Sequence, residues 1–252
     1  MALLNLENRV AIVTGAAQNI GRSVVLELAR AGTNIVVADI QAGKTRRVVR
    51  EIERLDRAAF AVQVDISDRH EVNKMAAQVA ERFGRIDILV NNACTTGKRA
   101  PVETLEQEQW DAMHAVCLRG ALFCSQAVIP FMRKQGKGKI INISSVVFWL
   151  GAANCSAYIS AKGGLIGLTR GLARELGQYN INVNAITPGA VKTVEEKHFV
   201  NPKEIDLIVN SQCLRRRVLP RDIATVVIFL ASSLSDAMTG QTINVDAGWA
   251  MH

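Results

Sequence analysis

The stretch Val10-Ala11-Ile12-Val13-Thr14-Gly15-Ala16-Ala17-Gln18-Asn19-Ile20-Gly21 decides the fold of this 252-residue chain. Its apolar first half predicts a buried strand, and the amphipathic segment that begins in the glycine-containing turn and continues through Arg30 predicts a helix. Small residues in such a turn let the backbone approach a pyrophosphate, which the free N–H groups and positive dipole of a helix N-terminus bind. We therefore predict a phosphate cradle, formed by Gly15, Gln18, Asn19, Ile20 and Gly21.

The second strand ends at Asp39, 24 residues after Gly15. A carboxylate there accepts hydrogen bonds from adenosine ribose hydroxyls and repels a 2′-phosphate, so NAD is the predicted cofactor, in preference to NADP. Further cofactor contacts are predicted just after the third and fourth strands, at Asp65, Ile66, Asn92 and Ala93. The alternatives are a solvated carboxylate at a strand end for Asp39 and a simple Asx turn for Asn91-Asn92-Ala93.

Strand-like runs alternate with helical segments along the whole sequence. The predicted strands lie near 9–13, 34–39, 59–64, 86–90, 138–143, 180–186 and 241–245. This alternation predicts one α/β domain over residues 1–252, a Rossmann-type doubly wound parallel sheet of about seven strands with helices on both faces. The irregular stretch at about 189–219 follows the sixth strand, and we interpret it as a substrate lid, with a surface insertion as the alternative.

Composition limits the classes of function. The net charge of +7 includes arginines at helical spacing over 46–57, but only 5% of the residues are aromatic, so a solvated helix face is favoured over nucleic-acid binding. We expect a cytoplasmic protein, because residues 1–8 do not resemble a signal peptide and apolar runs such as 224–231 are shorter than the roughly 20 residues of a membrane span. The five cysteines have no metal-ligand spacing, so reduced thiols and no metal site are predicted.

Three residues near the fifth strand suggest proton-transfer chemistry. Ser145 closes that strand, Tyr158 follows 13 residues later at the start of a helical segment, and Lys162 follows Tyr158 at i+4. This spacing puts Tyr158 and Lys162 on one helix face, where the ammonium lowers the pKa of the phenol from its ordinary value of about 10. Tyr158 can then act as a general base.

The ordered set of glycine loop, Asp39, Asn91-Asn92-Ala93, Ser145, Tyr158-x-x-x-Lys162 and Pro188-Gly189 resembles the short-chain dehydrogenase/reductase family over essentially the whole chain. The resemblance implies that Ser145 holds the substrate oxygen and Tyr158 takes its proton, while Lys162 binds the nicotinamide ribose. It also implies nicotinamide contacts, at Pro188, Gly189, Val191 and Thr193. A homotetramer is expected through the helices around 106–134 and 155–178, with a dimer as the next choice.

Three positions depart from the family pattern. Asn19 replaces the middle glycine of the loop, and asparagine is the non-glycine residue that best tolerates a left-handed conformation. Cys94 replaces a glycine at the floor of the cleft. Cys117 replaces an asparagine that, in the family, stabilises a helix irregularity and supports a water relay to the lysine, so we expect a slower enzyme.

The substrate prediction comes from the residues around the cleft. The predicted pocket contains Cys94, Trp149, Leu150 and Cys155, and the segments 157–164 and 245–248 resemble pyridoxal 4-dehydrogenases and 1-phenylethanol dehydrogenases of the family. This favours a small, ring-bearing secondary alcohol or its carbonyl, although the aromatic residues could instead pack in the core. A 3-oxoacyl thioester reductase is the alternative enzyme, disfavoured by Asp39 because such reductases generally use NADPH. The alternative of another class is a non-catalytic dinucleotide sensor or scaffold.

Overall fold

The structure, a computed structural model, describes residues 2–95, 97, 99–194 and 202–251. Within this part of the chain, seven strands form one parallel sheet in the order β3-β2-β1-β4-β5-β6-β7. The strands are β1 (Val10–Thr14), β2 (Asn34–Asp39), β3 (Ala59–Gln63), β4 (Ile88–Asn91), β5 (Gly138–Ile143), β6 (Ile181–Pro188) and β7 (Thr242–Val245). The helices are α1 (Asn19–Arg30), α2 (Ala42–Glu53), α3 (Arg69–Phe83), α4 (Gln107–His114), α5 (Ala121–Gln135), α6 (Val147–Leu150), α7 (Ser156–Leu176), α8 (Pro202–Ser211) and α9 (Pro220–Ala231).

The sheet is covered by helices on both faces because successive side chains of a strand point to opposite sides. In β1, Ala11 and Val13 pack into a core with residues of α1, α2 and α9. Val10 and Ile12 pack into a second core with residues of α3, α5 and α7. Parallel strands need crossover connections, and here the connecting helices bury both faces of the sheet. The predicted Rossmann-type doubly wound sheet is confirmed.

The strand register brings the carboxyl ends of the central strands together at one edge. Thr14 of β1 pairs with Ala38 of β2, and Asn91 of β4 pairs with Asn142 of β5. The turns after β1, β2, β4 and β5 therefore open on the same edge. This is the edge at which open α/β sheets bind their ligands.

The predicted strand boundaries agree with the structure to within two residues. The helix predicted around 155–178 agrees equally well, since α7 spans Ser156–Leu176. The helix predicted around 106–134 is not a uniform α-helix, because a π-helical segment, Ala115–Gly120, lies between α4 and α5. A π-helical turn widens the helix locally and is often found at a functional site.

By length and composition alone, the continuous helix Gln107–Gln135 is long and apolar enough to cross a membrane. The sequence alone did not single out this segment as a possible span, because polar residues interrupt its apolar runs. The helix belongs to the sheet-covering layer, since α5 packs on α3 and the π-helical segment packs on α7. One such helix is weak evidence for a membrane protein, because the core helix of an ordinary α/β fold can be equally long and apolar.

The proposed lid at 189–219 is described over 189–194 and 202–219, and the rest of it lies outside the described residues. Val191 and Val218 form an isolated parallel bridge, with Lys192 N donating to Val218 O at 2.8 Å. Leu214 N donates to Ala247 O at 2.9 Å. Both ends of the segment are thus tied together beside the turn that follows β7.

Candidate active site

The turn between β1 and α1 is packed so closely that it accepts only small residues. A Cβ atom on Gly15, whose φ is +61°, would lie 2.7 Å from Ala93 Cα, and one on Gly21 would lie 2.2 Å from Gly15 O. The N-terminus of α1 faces this turn, with its backbone N–H groups and positive dipole. These observations fit the pyrophosphate of a dinucleotide, the group for which the sequence predicted this cradle.

The segment after β4 holds the turn in place through hydrogen bonds. Asn92 Nδ2 donates to Thr14 O at 2.9 Å and to Gly15 O at 3.0 Å. The buried hydroxyl of Thr14 accepts from the backbone N–H groups of Asn92 and Ala93, both at 3.0 Å. The Asn92 side chain is therefore committed to the turn and positions the cradle. Sequence reasoning did not anticipate the part played by Thr14.

The substitution of Asn19 for a glycine keeps the shape of the cradle. Asn19 has a φ of +49°, in the left-handed region, as its side-chain type allows. The neighbouring Gln18 turns outward, because its Oε1 accepts from Lys44 Nζ at 2.5 Å. Ile20 packs its side chain on the core between the sheet and α1. At Gln18 and Ile20 the backbone N–H groups, not the side chains, are then the groups available to a phosphate.

Asp39 lies beside the cradle and is nearly buried, with 7% of its surface exposed. Its Oδ2 accepts from Ala17 N at 3.1 Å and its Oδ1 from Gln41 N at 3.0 Å. Each carboxylate oxygen has two lone pairs, so both oxygens can accept one further hydrogen bond. Two ribose hydroxyls would match these two acceptors, and the fixed negative charge would disfavour a phosphate.

The residues after β3 are less directly placed for a ligand. Asp65 Oδ1 is used in a local turn, where it accepts from Ser67 N at 2.8 Å and Ser67 Oγ at 2.7 Å. The Ile66 side chain lies against Gly120 of the π-helical segment, since a Cβ on that glycine would be 2.8 Å from Ile66 Cδ1. Asp65 keeps a second carboxylate oxygen for an adenine, whereas Ile66 can contribute only through its backbone.

Ser145, Tyr158 and Lys162 come together at the carboxyl end of β5. The Ser145 hydroxyl hydrogen-bonds to the phenol of Tyr158. Lys162 Nζ lies 5.8 Å from the centre of the Tyr158 ring, and it also donates to Ile143 O at 2.7 Å. Ser144 Oγ donates to the carbonyl of Lys162 at 2.7 Å and fixes α7 against the strand. The predicted convergence of three side chains is present, and Ser144 is an additional positioning residue.

The pKa of Tyr158 differs from the sequence-based expectation. Burial raises the pKa of Tyr158 to about 12, and the negative charge of Cys94 acts in the same direction. The ammonium of Lys162 and the hydrogen bond with Ser145 lower the pKa, as the sequence predicted, but they do not outweigh the burial.

Cys94 is in direct contact with this group, although the sequence indicated only that it lies at the floor of the predicted pocket. Its sulfur accepts hydrogen bonds from Cys117, Lys162 and Tyr158, with the Cys117 sulfur at 3.3 Å. The hydrogen bond from Cys117 lowers the pKa of Cys94 to about 6, and the charge of Lys162 acts in the same direction. Desolvation of the sulfur opposes this shift but does not outweigh it. The pKa of Cys117 is raised, by its hydrogen bond to Cys94 and by burial.

The other predicted site residues lie at and after the end of β6, on α6 and just before α7. Pro188 ends β6, and Gly189 is required next to it because a Cβ there would lie 2.8 Å from Asp246 Cα. Val191 is held by the bridge described above, and Thr193 is half-buried beyond it. The pocket residues Trp149 and Leu150 lie on α6, and Cys155 precedes α7. Among the described parts of the chain, no three His, Cys, Asp or Glu side chains are grouped as a metal site.

The aromatic pair on α6 has a packing role that the sequence left open. The Phe148 and Trp149 rings meet edge to face at 4.7 Å between centroids. Phe148 packs on α7 at Gly163, where a Cβ would lie 2.6 Å from its ring. Phe148 therefore anchors α6, while Leu150 is exposed and Trp149 is partly buried.

Comparison with known proteins agrees with this geometry. The model of the family described as enoyl-(acyl carrier protein) reductase matches residues 15–250. The chain is 36% identical to the 3-oxoacyl-[acyl-carrier-protein] reductase of Thermotoga maritima, over 97% of this chain and 99% of that protein. It is also 36% identical to the (2S)-[(R)-hydroxy(phenyl)methyl]succinyl-CoA dehydrogenase subunit of Thauera aromatica, over 97% of this chain and 98% of that protein. The structure of the 3-ketoacyl-(acyl-carrier-protein) reductase from Brucella melitensis, complexed with NADH, is 30% identical and superposes with a TM-score of 0.92, covering 98% of this chain and 100% of that one.

The chain belongs to the short-chain dehydrogenase/reductase family. It is an oxidoreductase that acts on CH–OH groups and carries the nucleotide-binding Rossmann fold of that family. Its more specific resemblance to pyridoxal 4-dehydrogenases and 1-phenylethanol dehydrogenases remains a prediction.

Proposed function

We propose that the protein is an NAD-dependent dehydrogenase of a small, ring-bearing secondary alcohol, or a reductase of the corresponding carbonyl. The convergence of Ser145, Tyr158 and Lys162 beside a phosphate cradle is the observation that carries this proposal. Cys94 follows Ala93, which touches Gly15, and Cys94 itself touches Tyr158 and Lys162. The segment after β4 therefore joins the cofactor side of the cleft to the catalytic side.

In this proposal each side chain has a distinct task. Ser145 orients the substrate oxygen, Tyr158 exchanges a proton with it, and Lys162 stabilises the phenolate and binds the nicotinamide ribose. When bound, the nicotinamide supplies or accepts the hydride. Because the pKa of Tyr158 is about 12, alcohol oxidation should become faster as the pH rises toward that value.

The phenol has a matched control, since Tyr158 and Tyr179 are the two tyrosines of the sequence. Tyr179 stacks on Arg133, whose guanidinium lies 3.8 Å from its ring centre. We expect Tyr158→Phe to lower kcat/KM for alcohol oxidation by at least about 100-fold, the usual contribution of a general base, and Tyr179→Phe to leave it nearly unchanged. Equal effects of the two variants would refute the assignment of Tyr158.

The preference for NAD is supported by the Asp39 carboxylate. Asp39→Asn removes the charge but keeps an oxygen that can accept from Ala17 or Gln41, so the neighbouring backbone should be preserved. We expect the ratio of NAD to NADP affinity to fall by about tenfold, equivalent to about 1.4 kcal/mol. Isothermal titration with both dinucleotides measures this ratio, and an unchanged ratio would contradict the role of Asp39.

A ring-bearing substrate is supported by the Thauera aromatica relative, whose name describes a hydroxy(phenyl)methyl group, that is, an alcohol carbon that carries a phenyl ring. Trp149 and Leu150, which the sequence predicts to line the pocket, lie on α6, which begins two residues after Ser145. The test compares NAD reduction with 1-phenylethanol and with 2-butanol, which differ in whether a ring is attached to the alcohol carbon. A higher kcat/KM for 1-phenylethanol is expected, and an equal or lower value would remove the ring from the proposal.

A 3-oxoacyl thioester reductase is the second candidate, favoured by the similarity to the Thermotoga maritima and Brucella melitensis reductases. The Brucella melitensis enzyme was solved with NADH, so use of NADH does not exclude this function. The discriminating assay is therefore direct reduction of acetoacetyl-CoA. Faster turnover of this thioester than of acetophenone would favour the second candidate.

We further propose that the protein is a cytoplasmic homotetramer that binds neither nucleic acid nor membranes. Association through the Gln107–Gln135 helix and α7 would cover the outer surface of that apolar helix. In the single chain, only 39% of the most apolar stretch of this helix is buried. Light scattering measures the mass in solution. A monomer would contradict this part of the proposal.

A further inference from the structure

Cys94 and Cys117, two cysteines that replace non-cysteine residues of the family pattern, lie face to face beside the catalytic group. Their sulfur atoms are 3.3 Å apart, although the residues are separated by 23 positions in the sequence. Cys94 comes from the segment after β4, and Cys117 comes from the π-helical segment. A disulfide has an S–S distance of about 2.05 Å, so a relative movement of about 1.3 Å would join the two sulfurs.

The two thiols differ in accessibility and in hydrogen bonding. Cys94 is exposed to solvent and accepts hydrogen bonds from Lys162 and Tyr158, whereas Cys117 is buried, with 1% of its surface exposed. Cys117 also contacts Met113 Sδ at 3.7 Å and Thr95 O at 3.8 Å, so its sulfur is held between Cys94 and the interior. A cation-stabilised thiol on an exposed residue, next to the thiol of a buried residue, is the arrangement of an attacking and a resolving cysteine.

We propose that Cys94 and Cys117 form a peroxide-sensitive modification site, in which a hydroperoxide oxidises the pair to a disulfide at the floor of the cleft. The Cys94 sulfur attacks one peroxide oxygen, the O–O bond breaks, and the products are a Cys94 sulfenic acid and an alcohol, or water when the oxidant is hydrogen peroxide. The Cys117 sulfur then attacks the Cys94 sulfur, the S–O bond breaks, and the hydroxide leaves as water with the Cys117 proton. Overall, two thiols and one hydroperoxide give a disulfide, one alcohol and one water, with two electrons passing to the peroxide.

The disulfide would alter the site in two ways. It would pull the Cys94 sulfur away from the hydrogen bonds of Lys162 and Tyr158, and it would shift the segment whose preceding residue, Ala93, touches Gly15. Under the proposed function, Tyr158 and Lys162 carry out proton transfer, and the turn at Gly15 binds the cofactor. Oxidation should therefore reduce the activity, and a thiol reductant should restore it.

The primary experiment follows the cross-link itself and does not depend on the substrate. The full-length protein is treated with hydrogen peroxide, alkylated and digested, and the peptides that contain Cys94, Cys117 and the exposed Cys213 are quantified by mass spectrometry. We expect a Cys94–Cys117 cross-linked peptide to form at least about tenfold faster than Cys213 is oxidised, and to disappear with dithiothreitol. Oxidation of Cys94 without the cross-link, or no faster than that of Cys213, would overturn the proposal.

Two serine variants separate the roles of the pair. In Cys117→Ser the Cys94 sulfenic acid should persist and react with dimedone, whereas in Cys94→Ser neither a cross-link nor fast oxidation of Cys117 should be found. Each variant is compared with its own untreated activity and with Cys124→Ser, whose sulfur is buried in the core behind the sheet. Fast oxidation in Cys94→Ser would assign the attack to another residue and refute the mechanism.

Discussion

Replacing Gly21 by alanine should strongly weaken dinucleotide binding, because the added methyl group has no room. Its Cβ would lie 2.2 Å from Gly15 O, 2.7 Å from Asn92 Nδ2 and 2.8 Å from Ala16 Cα. Two of these three atoms belong to the backbone of the cradle, so no side-chain rotation relieves the overlap. The turn must move as a unit away from α1.

The size of the effect follows from that movement. Ordinary contacts begin at 3.4 Å, so Gly15 O has to retreat by about 1 Å. A shift of this size takes a backbone N–H out of the 2.7–3.2 Å range in which it bonds an oxygen. A hydrogen bond to a charged group contributes about 1.5–3 kcal/mol, so the loss of one bond to the pyrophosphate weakens binding roughly 10- to 150-fold. Overpacking itself should lower the free energy of unfolding by about 1–3 kcal/mol.

The assay is calorimetric titration with NAD, accompanied by thermal unfolding without it. Gly177→Ala is the matched control, because Gly177 has a helical φ of −56° and ψ of −35° and no atom lies within 4 Å of its added Cβ. This control should bind NAD like the parent and gain about 0.4–1 kcal/mol of stability from the stiffer unfolded chain. If Gly21→Ala binds NAD within twofold of the parent, the reasoning from close contacts is wrong.

Three further predictions concern stability and pH. Thr14→Val should lower the free energy of unfolding by about 1–3 kcal/mol in chemical denaturation, because two N–H groups lose their acceptor. Burial of Asp87 opposes its ionisation, yet hydrogen bonds from Arg85, Val10 and Arg9 lower its pKa in the folded protein. The stabilisation from the Asp87 carboxylate is therefore present above the pKa of the unfolded state and is lost as the pH falls through the pKa of the folded state. Asp87→Asn should destabilise the protein by about 1–3 kcal/mol at pH 7 and by less below about pH 4. Cys94→Gly removes a negative charge that raises the pKa of Tyr158, so the rise of kcat/KM for alcohol oxidation should move to lower pH, and a profile that stays in place would contradict this electrostatic role.

The sequence predicted most of the fold because each strand and turn is specified locally. Alternating runs of β-branched residues and amphipathic segments fix the strands to within two residues, and a parallel sheet then requires helices on both faces. The left-handed conformation at Asn19 was also predictable, since few other side chains tolerate it. The π-helical segment was not predicted from local propensity, because it differs from an α-helix by the register of a few backbone hydrogen bonds and not by side-chain type.

The electrostatics of the site required the tertiary structure, and Cys94 and Cys117 illustrate why. In the sequence they are two separate departures from the family pattern, one on the pocket floor and one in a helix. In the structure their sulfurs are 3.3 Å apart, and Cys94 accepts hydrogen bonds from the tyrosine and lysine of the catalytic group. A negative charge on Cys94 then counteracts the effect of Lys162 on Tyr158, which no i,i+4 spacing could reveal. A substitution at either cysteine should therefore change the chemistry of the pair and also the proton affinity of Tyr158, so the two departures have to be interpreted as a single coupled change.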